Sequence, residues 1–162
     1  MKHLCIKINW HGPYDIHNVK DSKPYSGIYL LAGKRKYQRE SEIQYCGITE
    51  NAFYRRFANH HTINEITRER EIWLGELVYP EQWSREHLEA AEALIIYFWQ
   101  PELNDKKKVN APQKAITVIS HWLKRDGRPR MKQRAIYKDL DDVLSWDGRY
   151  WRTGNLDIYE DD

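Results

Sequence analysis

Cysteine is scarce in this sequence of 162 residues, and long apolar runs are missing. Cys5 and Cys46 stand far apart and form no Cys-x-x-Cys pair, which argues against a disulfide framework or a cysteine-based zinc site. The longest apolar run, 93–99, has seven residues, whereas a membrane-spanning helix needs roughly 20. The first ten residues alternate instead of forming the apolar block of a signal peptide. We therefore expect a soluble cytoplasmic protein.

Several motifs that announce a particular chemistry are also missing. The sequence has no Gly-rich phosphate loop, no His-Glu-x-x-His and no Gly-x-Ser-x-Gly. It has no internal repeat, and neither a helix-turn-helix nor a zinc finger is recognisable for reading bases. The chain is nevertheless long enough to bury a core, so we expect one domain or one domain with an appendage.

The net charge of +2 conceals two blocks of opposite sign. Residues 106–134 hold ten Lys or Arg against one acid, and residues 139–162 hold two against eight. The first block suits a polyanion, although a solvated surface is the simpler alternative.

Period-2 patterns predict strands in the first half of the chain. Leu4, Ile6, Ile8 and Trp10 alternate with Cys5, Lys7 and Asn9, as in a half-buried strand. "GIYLLAG" (27–33) and "EIQYCGI" (42–48) predict a hairpin that places Tyr29 and Tyr45 on one sheet, side by side. "IWLGELVY" (72–79) predicts a third strand ending before Pro80.

Helical spacing begins after residue 50. Phe53 and Phe57 recur at i and i+4, and so do Arg56 and His60, which predicts that a guanidinium and an imidazole share one helix face. A second helix is predicted from the N-cap Ser84 to residue 99. Glu92 falls inside the apolar stripe of this helix. A charged carboxylate is unexpected among apolar side chains, which suggests that Glu92 has a specific role.

The C-terminal third also carries helix signals. Pro112 and Gly127 bracket "QKAITVISHWLKRD" as a helix, because proline favours the first helical turn and glycine follows helix ends. A last short helix is predicted around Leu140, Val143 and Leu144, followed by an Asp-Gly turn at 147–148.

Taken in order, four short stretches resemble the GIY-YIG nuclease superfamily. They are "GIY" at 27–29, "YCG" at 45–47, "RRFANH" at 55–60 and "EALIIYFWQPELN" at 92–104. A single tripeptide match would be weak, and the order and spacing of all four carry the resemblance.

The resemblance implies an α+β fold: a small central antiparallel three-stranded sheet flanked by helices, with an extra N-terminal edge strand and a C-terminal basic helical extension. The expected division is an N-terminal strand and polar connection at 1–26, a nuclease core at 27–104, and the extension with an acidic tail at 105–162.

It also implies a catalytic set, carried over position by position: Tyr29, Tyr45, Arg56, His60, Glu92 and Asn104. Glu92 would be the single protein ligand of Mg²⁺ or Mn²⁺, since Mg²⁺ keeps several waters and accepts few carboxylates. Arg55 competes with Arg56, and Glu89, one turn earlier, is a rival to Glu92.

The resemblance further implies a metal-dependent endonuclease that hydrolyses phosphodiester bonds in DNA. Tyr29 would activate the water while Tyr45 orients the water or the phosphate, and Arg56 would bind the phosphoryl oxygens. His60 would hydrogen-bond a tyrosine or carry a proton, and Asn104 would fix the geometry around Glu92.

In the basic block we expect phosphate contacts from Lys106, Lys107, Lys108, Arg128 and Arg130. A homodimer would place one site on each strand. The alternative is a nucleic-acid-binding protein with a weakened site, and its best argument is Ile48, which stands where many members carry a polar residue. A protein-interaction module using the acidic tail would explain none of the motif residues.

Overall fold

The structure is a computed structural model that describes residues 2–22, 24, 26–58, 60–130 and 141–155. Its strands are β1 Leu4–Tyr14, β2 Gly27–Arg35, β3 Glu42–Thr49, β4 Ile66–Tyr79, β5 Ile116–Leu123, β6 Val143–Trp146 and β7 Trp151–Gly154. Its α-helices are α1 Phe53–Ala58 and α2 Arg85–Trp99, and short 3₁₀ turns span Val19–Asp21 and His61–Glu65.

The seven strands form one mixed sheet in the order β3-β2-β4-β1-β5-β6-β7. β1 and β5 are parallel, and the other pairings of these strands are antiparallel. β3 and β7 are the two edges. The expectation of a small three-stranded sheet flanked by helices is therefore wrong, because the described residues build a wide sheet with only two α-helices.

β1 is not an edge strand, as the sequence suggested, but lies inside the sheet. It pairs with β4 on one side and β5 on the other. Ile6, Ile8 and Trp10 are fully buried. The alternating pattern correctly predicted the strand, but the alternation of a strand says nothing about which neighbours pair with it.

The predicted C-terminal helical extension is also wrong, since 116–123 is β5 and 143–146 is β6. Along β5 every second side chain is buried, from Ile116 through Val118 to Trp122. The run Ile-Thr-Val-Ile favours a strand through its β-branched side chains, and this preference outweighed the flanking Pro112 and Gly127. Leu140 and five of the eight acids of the tail lie outside the described residues.

The sequence-predicted hairpin and second helix are confirmed. β2 and β3 pair antiparallel, with Tyr29 opposite Gly47 and Leu31 opposite Tyr45. α2 begins after Ser84, whose backbone N–H donates to His87 Nδ1 at 3.0 Å. β4 begins six residues earlier than predicted, because the charged 66–71 stretch also pairs with β2. The Asp-Gly turn is confirmed by Asp147, whose carboxylate accepts from the backbone of Arg149 and Tyr150.

The two faces of the sheet bury separate clusters. The face under α2 is packed with aliphatic side chains and tryptophans, among them Ile6, Ile8, Trp10, Leu30, Leu94, Ile95 and Trp122. The face under α1 is packed with Tyr29, Leu31, Phe53, Phe57, Ile66, Ile72 and Leu74, with Tyr45 against them. The two candidate tyrosines therefore lie on the α1 face, at the β2–β3 end of the sheet.

Candidate active site

Tyr29 and Tyr45 lie side by side, as the hairpin predicted. Tyr29 belongs to β2 and Tyr45 to β3, and their rings stack with centroids 6.1 Å apart and planes 28° apart. Tyr29 is fully buried and Tyr45 is partly exposed. Phe53 and Phe57 of α1 meet the Tyr29 ring edge-on, so the helix fixes the ring and leaves its neighbour open to solvent.

Gly47 makes room for this arrangement. A Cβ at this position would lie 2.5 Å from Tyr29 Cζ and 2.9 Å from Tyr45 Cε1, and closer still to the Tyr29 hydroxyl. The Tyr29 ring thus crosses directly over the glycine that opposes it in the ladder. The glycine after Tyr45 is therefore a steric requirement of the tyrosine pair.

His60 completes the aromatic group. Its Nε2 lies 3.1 Å from the Tyr29 hydroxyl, and its ring meets Tyr45 edge-on, with centroids 5.0 Å apart. The expectation that His60 shares a helix face with Arg56 is wrong, because α1 ends at Ala58. His60 instead reaches Tyr29 from the extended residue that precedes the 3₁₀ turn.

Arg56, rather than Arg55, faces the tyrosines. The Arg56 charge lowers the pKa of both Tyr29 and Tyr45, and its side chain hydrogen-bonds Tyr29. Arg55 Nε donates to the Tyr54 hydroxyl at 3.1 Å on the exposed side of α1. The structure therefore separates two adjacent arginines that the sequence could not distinguish by type.

Burial has the largest effect on the pKa values of Tyr29 and Tyr45. Desolvation raises the pKa of Tyr29 far above its ordinary value, and the neighbouring Tyr45 raises it further against the opposing effect of Arg56. Desolvation also raises the pKa of Tyr45, where Arg56 opposes and Glu92 adds to the increase. Both tyrosines are consequently neutral hydrogen-bonding groups at neutral pH.

Glu92 lies close to the same strand and is largely buried. Its side chain is 13% exposed and forms an ion pair with Lys107. Its charge raises the pKa of Tyr45 and of the Cys46 thiol, which places the carboxylate beside β3. The rival Glu89 is 54% exposed and pairs with Arg85.

Asn104 closes the free edge of β3. Its Oδ1 accepts from the Cys46 backbone N–H at 2.9 Å, and its Nδ2 donates to the Cys46 carbonyl at 2.9 Å. Leu103 N–H adds a bond to the Gln44 carbonyl at 2.8 Å. Asn104 thus supplies both partners that an edge residue lacks, and it holds the backbone next to Tyr45 rather than bonding Glu92.

The five predicted phosphate contacts fall into two groups. Lys106, Lys107 and Lys108 follow α2, and Lys108 Nζ donates to the Glu102 carbonyl at 3.3 Å. Arg128 pairs with Asp126. Arg130 donates to the Gly12 carbonyl at 2.8 Å and lies over the Trp73 ring. Lys107 therefore lies by Glu92 with Lys106 and Lys108 on either side of it in the loop, and the two arginines are engaged with protein groups.

Sequence reasoning missed the pairing of Lys107 with Glu92. The two residues are fifteen positions apart across a loop, and no helical or strand period predicts contact at such a separation. Among the described residues no group of three or more His, Cys, Asp or Glu side chains gathers as a metal site. The candidate metal ligand is the single carboxylate of Glu92.

Comparisons with protein-family models, with curated proteins and with solved structures give no match to this chain. Neither α-helix of the described part is long and apolar enough to cross a membrane. The geometry of the tyrosine cluster and the motif resemblance of its residues are therefore the features that point to a function.

Proposed function

We propose that this protein is a metal-dependent endonuclease that hydrolyses phosphodiester bonds in DNA. One observation carries the proposal: residues from β2, β3, α1, α2 and the loop after α1 converge on a tyrosine pair flanked by an imidazole, a guanidinium and a carboxylate. Each of these groups has a use in phosphodiester hydrolysis, and three of the side chains, Tyr29, His60 and Glu92, are largely buried.

The exposure of the two tyrosines favours Tyr45, instead of Tyr29, as the residue that contacts the attacking water. A water can reach the partly exposed Tyr45, whereas Tyr29 is fully buried and its raised pKa keeps it protonated, so it has no phenolate to offer a water. The Tyr45 ring stacks on the Tyr29 ring, and the Tyr29 hydroxyl lies 3.1 Å from His60 Nε2. In the proposed step the water proton moves to the Tyr45 oxygen, the Tyr45 proton to Tyr29, and the Tyr29 proton to an unprotonated His60 Nε2.

Arg56 supplies positive charge beside both hydroxyls. A guanidinium binds two phosphoryl oxygens through parallel N–H donors, and it stays charged at any working pH. Its position next to the tyrosines suits a phosphate whose attacked face meets the Tyr45 water. Arg56 would therefore stabilise the charge that builds up on the phosphoryl group.

The donor chemistry of Glu92 fits Mg²⁺ or Mn²⁺. A lone carboxylate with solvent access on one side matches the preference of Mg²⁺ for few protein ligands and several waters, and Lys107 shows that a cation can be held there. A bound divalent ion would supply Lewis-acid stabilisation of the phosphate. Glu92 would hold this ion, and Asn104 keeps the adjacent β3 backbone in place.

DNA is the proposed partner, with Lys106, Lys107 and Lys108 nearest to the site as contacts that position phosphates. A homodimer remains the form proposed for cutting both strands. Such contacts make binding strongly dependent on salt without reading the base sequence.

The proposal is tested by incubating supercoiled plasmid with the wild type in Mg²⁺, in Mn²⁺ and in EDTA. Glu92→Gln is the informative variant, and Glu89→Gln is its matched control because Glu89 lies one turn earlier on α2 and pairs with Arg85. We expect nicked or linear plasmid with the wild type and Glu89→Gln, and its loss with EDTA and with Glu92→Gln. Equal cleavage by both variants would contradict the assignment.

The second candidate is a nucleic-acid-binding protein with an inactive site. Two observations favour it: Ile48 packs against the apolar cluster under α2, where it offers no charge, and burial holds both phenols neutral. Gel shifts on the same proteins distinguish the candidates. DNA binding without cleavage in any divalent metal would establish the binding protein and reject the enzyme.

A further inference from the structure

The ion pair between Glu92 and Lys107 has features of an occupied cation site. Glu92 is only 13% exposed, and Lys107 reaches it from the loop after α2 with 38% of its own side chain exposed. Other ion pairs of α2 lie at the surface: Lys114 and Glu86 are 61% and 65% exposed, and Arg85 and Glu89 are 52% and 54% exposed. The shielded carboxylate is thus the one that carries the loop lysine.

The backbone of Lys107 is held in an unusual conformation. Its φ is 67°, in the left-handed region that side chains other than glycine rarely adopt. The loop is anchored just before it, where Asn104 bonds the Cys46 backbone. The geometry of the loop therefore directs the ammonium to the carboxylate despite a local backbone cost.

A cavity adjoins the Lys107 side chain. This cavity of about 340 Å³ lies beside α2 and is also lined by Ala90, Ala93, Gln113 and Ile116. The exposed position of its flanking residue Lys106 shows that this loop faces solvent. Open space therefore adjoins the Lys107 side chain.

From these contacts we propose that the Lys107 ammonium and a divalent cation are alternative occupants of the Glu92 carboxylate, and that DNA phosphate promotes metal loading by drawing Lys107 away. A divalent ion on Glu92 would repel the Lys107 ammonium at hydrogen-bond range, so that binding of one cation weakens binding of the other. A phosphate that binds Lys107 frees Glu92, so metal and DNA bind cooperatively, and by linkage each raises the affinity for the other equally. This inference rests on the proposed function and concerns the regulation of the same site.

The test measures Mn²⁺ binding by electron paramagnetic resonance and by titration calorimetry, with no activity readout. The proteins are the wild type, Lys107→Gln, Glu92→Gln and Lys114→Gln. Lys114→Gln is the matched control, because it removes another lysine that pairs with a glutamate of α2. Circular dichroism establishes that each variant is folded.

We expect Lys107→Gln to bind Mn²⁺ about fivefold or more tightly than the wild type, Lys114→Gln to match the wild type, and Glu92→Gln to lose the site. A short duplex with non-hydrolysable phosphorothioate linkages should tighten Mn²⁺ binding to the wild type but not to Lys107→Gln. Unchanged affinity in Lys107→Gln, or equal tightening in Lys107→Gln and Lys114→Gln, would overturn the inference.

The two proposals fail in different ways. Tighter Mn²⁺ binding by Lys107→Gln without plasmid cleavage by any protein would keep the exchange of cations and reject the nuclease. Plasmid cleavage that requires Glu92, combined with unchanged Mn²⁺ affinity in Lys107→Gln, would keep the nuclease and reject the exchange.

Discussion

The two faces of the sheet bury different kinds of side chain: one is apolar, and the other includes bonded polar groups. The α2 face is an apolar core in which fully buried isoleucines, leucines and tryptophans pack without a titratable pair at their centre. The α1 face buries a phenol and an imidazole that bond each other, beside a partly exposed second phenol. Buried polar groups lower stability unless they are bonded, so the α1 face keeps groups that packing alone would replace. The tyrosine group therefore lies on the face opposite the apolar α2 core, whereas α2 itself supplies the candidate metal ligand Glu92.

The largest loss of stability is expected from Leu94→Ala on the α2 face. Leu94 is fully buried, and truncating such a leucine costs about 2–5 kcal/mol through lost transfer energy and a residual cavity. Urea denaturation measures it, with the exposed Glu89→Ala as control. The Tyr29–His60 contact should be kept in the folded fraction, because it lies on the other face. Equal urea midpoints for Leu94→Ala and Glu89→Ala would contradict the expected loss.

Gly47→Ala should damage the α1 face instead. The new Cβ would meet the Tyr29 and Tyr45 rings, and overpacking of this kind costs about 1–3 kcal/mol. Cleavage should fall more than stability, since the tyrosine pair must separate. Gly154→Ala is the control, as its added Cβ meets open space in β7. If Gly47→Ala retains wild-type cleavage, the stacked pair is not required.

Asn104→Ala tests the edge where the two faces meet. It leaves the Cys46 N–H and C=O without their side-chain partners, at a cost of about 1–3 kcal/mol for unsatisfied buried groups. Hydrogen exchange at the Cys46 amide should accelerate, while exchange in β1 follows only the global change. The exposed Asn110→Ala serves as the comparison, and equal protection of Cys46 in both variants would show that Asn104 is dispensable.

Tyr29→Phe should have the smallest effect on stability at neutral pH, about 0.5–1.5 kcal/mol for one hydrogen bond. The folded pKa of Tyr29 lies above its ordinary value of 10.0, so the native state keeps a proton that the unfolded state releases. Stability from this group is complete below pH 10 and declines as pH rises beyond it.

Urea midpoints at about pH 8 and about pH 10.5 check this dependence. The wild type should lose more stability between them than Tyr29→Phe, while Tyr54→Phe, at 46% exposure, should behave as the wild type. The proton relay adds a second readout, because Tyr29→Phe should abolish most cleavage while keeping the fold. Full cleavage by Tyr29→Phe would exclude the relay through His60.

Local patterns predicted the parts of the molecule that local contacts build. The β2–β3 hairpin joins neighbouring segments, and the N-cap Ser84 and the apolar stripe predict α2. The order of Tyr29, Tyr45, Arg56, His60 and Glu92 along the chain was enough to name them as one group. The resemblance named Arg56 with Arg55 as its rival, and the position of Arg56 beside the tyrosines agrees with the first.

Long-range pairing was not predictable in the same way. The β5 segment is bracketed by the helix start and stop signals Pro112 and Gly127. Its partner β1 lies more than a hundred positions earlier, with Leu4 opposite Ile116. The loop lysine that meets Glu92 and the asparagine that meets Cys46 obey no local period. Such contacts depend on where the completed sheet brings the chain.

The sequence by itself determined the hairpin, the α2 helix and the residue types of the candidate site, because turn residues, period and capping act between near neighbours. Tertiary structure alone decided that β1 is an inner strand, that β5 extends the sheet, and that Tyr29 is buried while Tyr45 meets solvent. It also decided that Lys107 forms an ion pair with Glu92. The reason is physical: burial and charge pairing depend on distances in space, which the spacing along a chain does not specify.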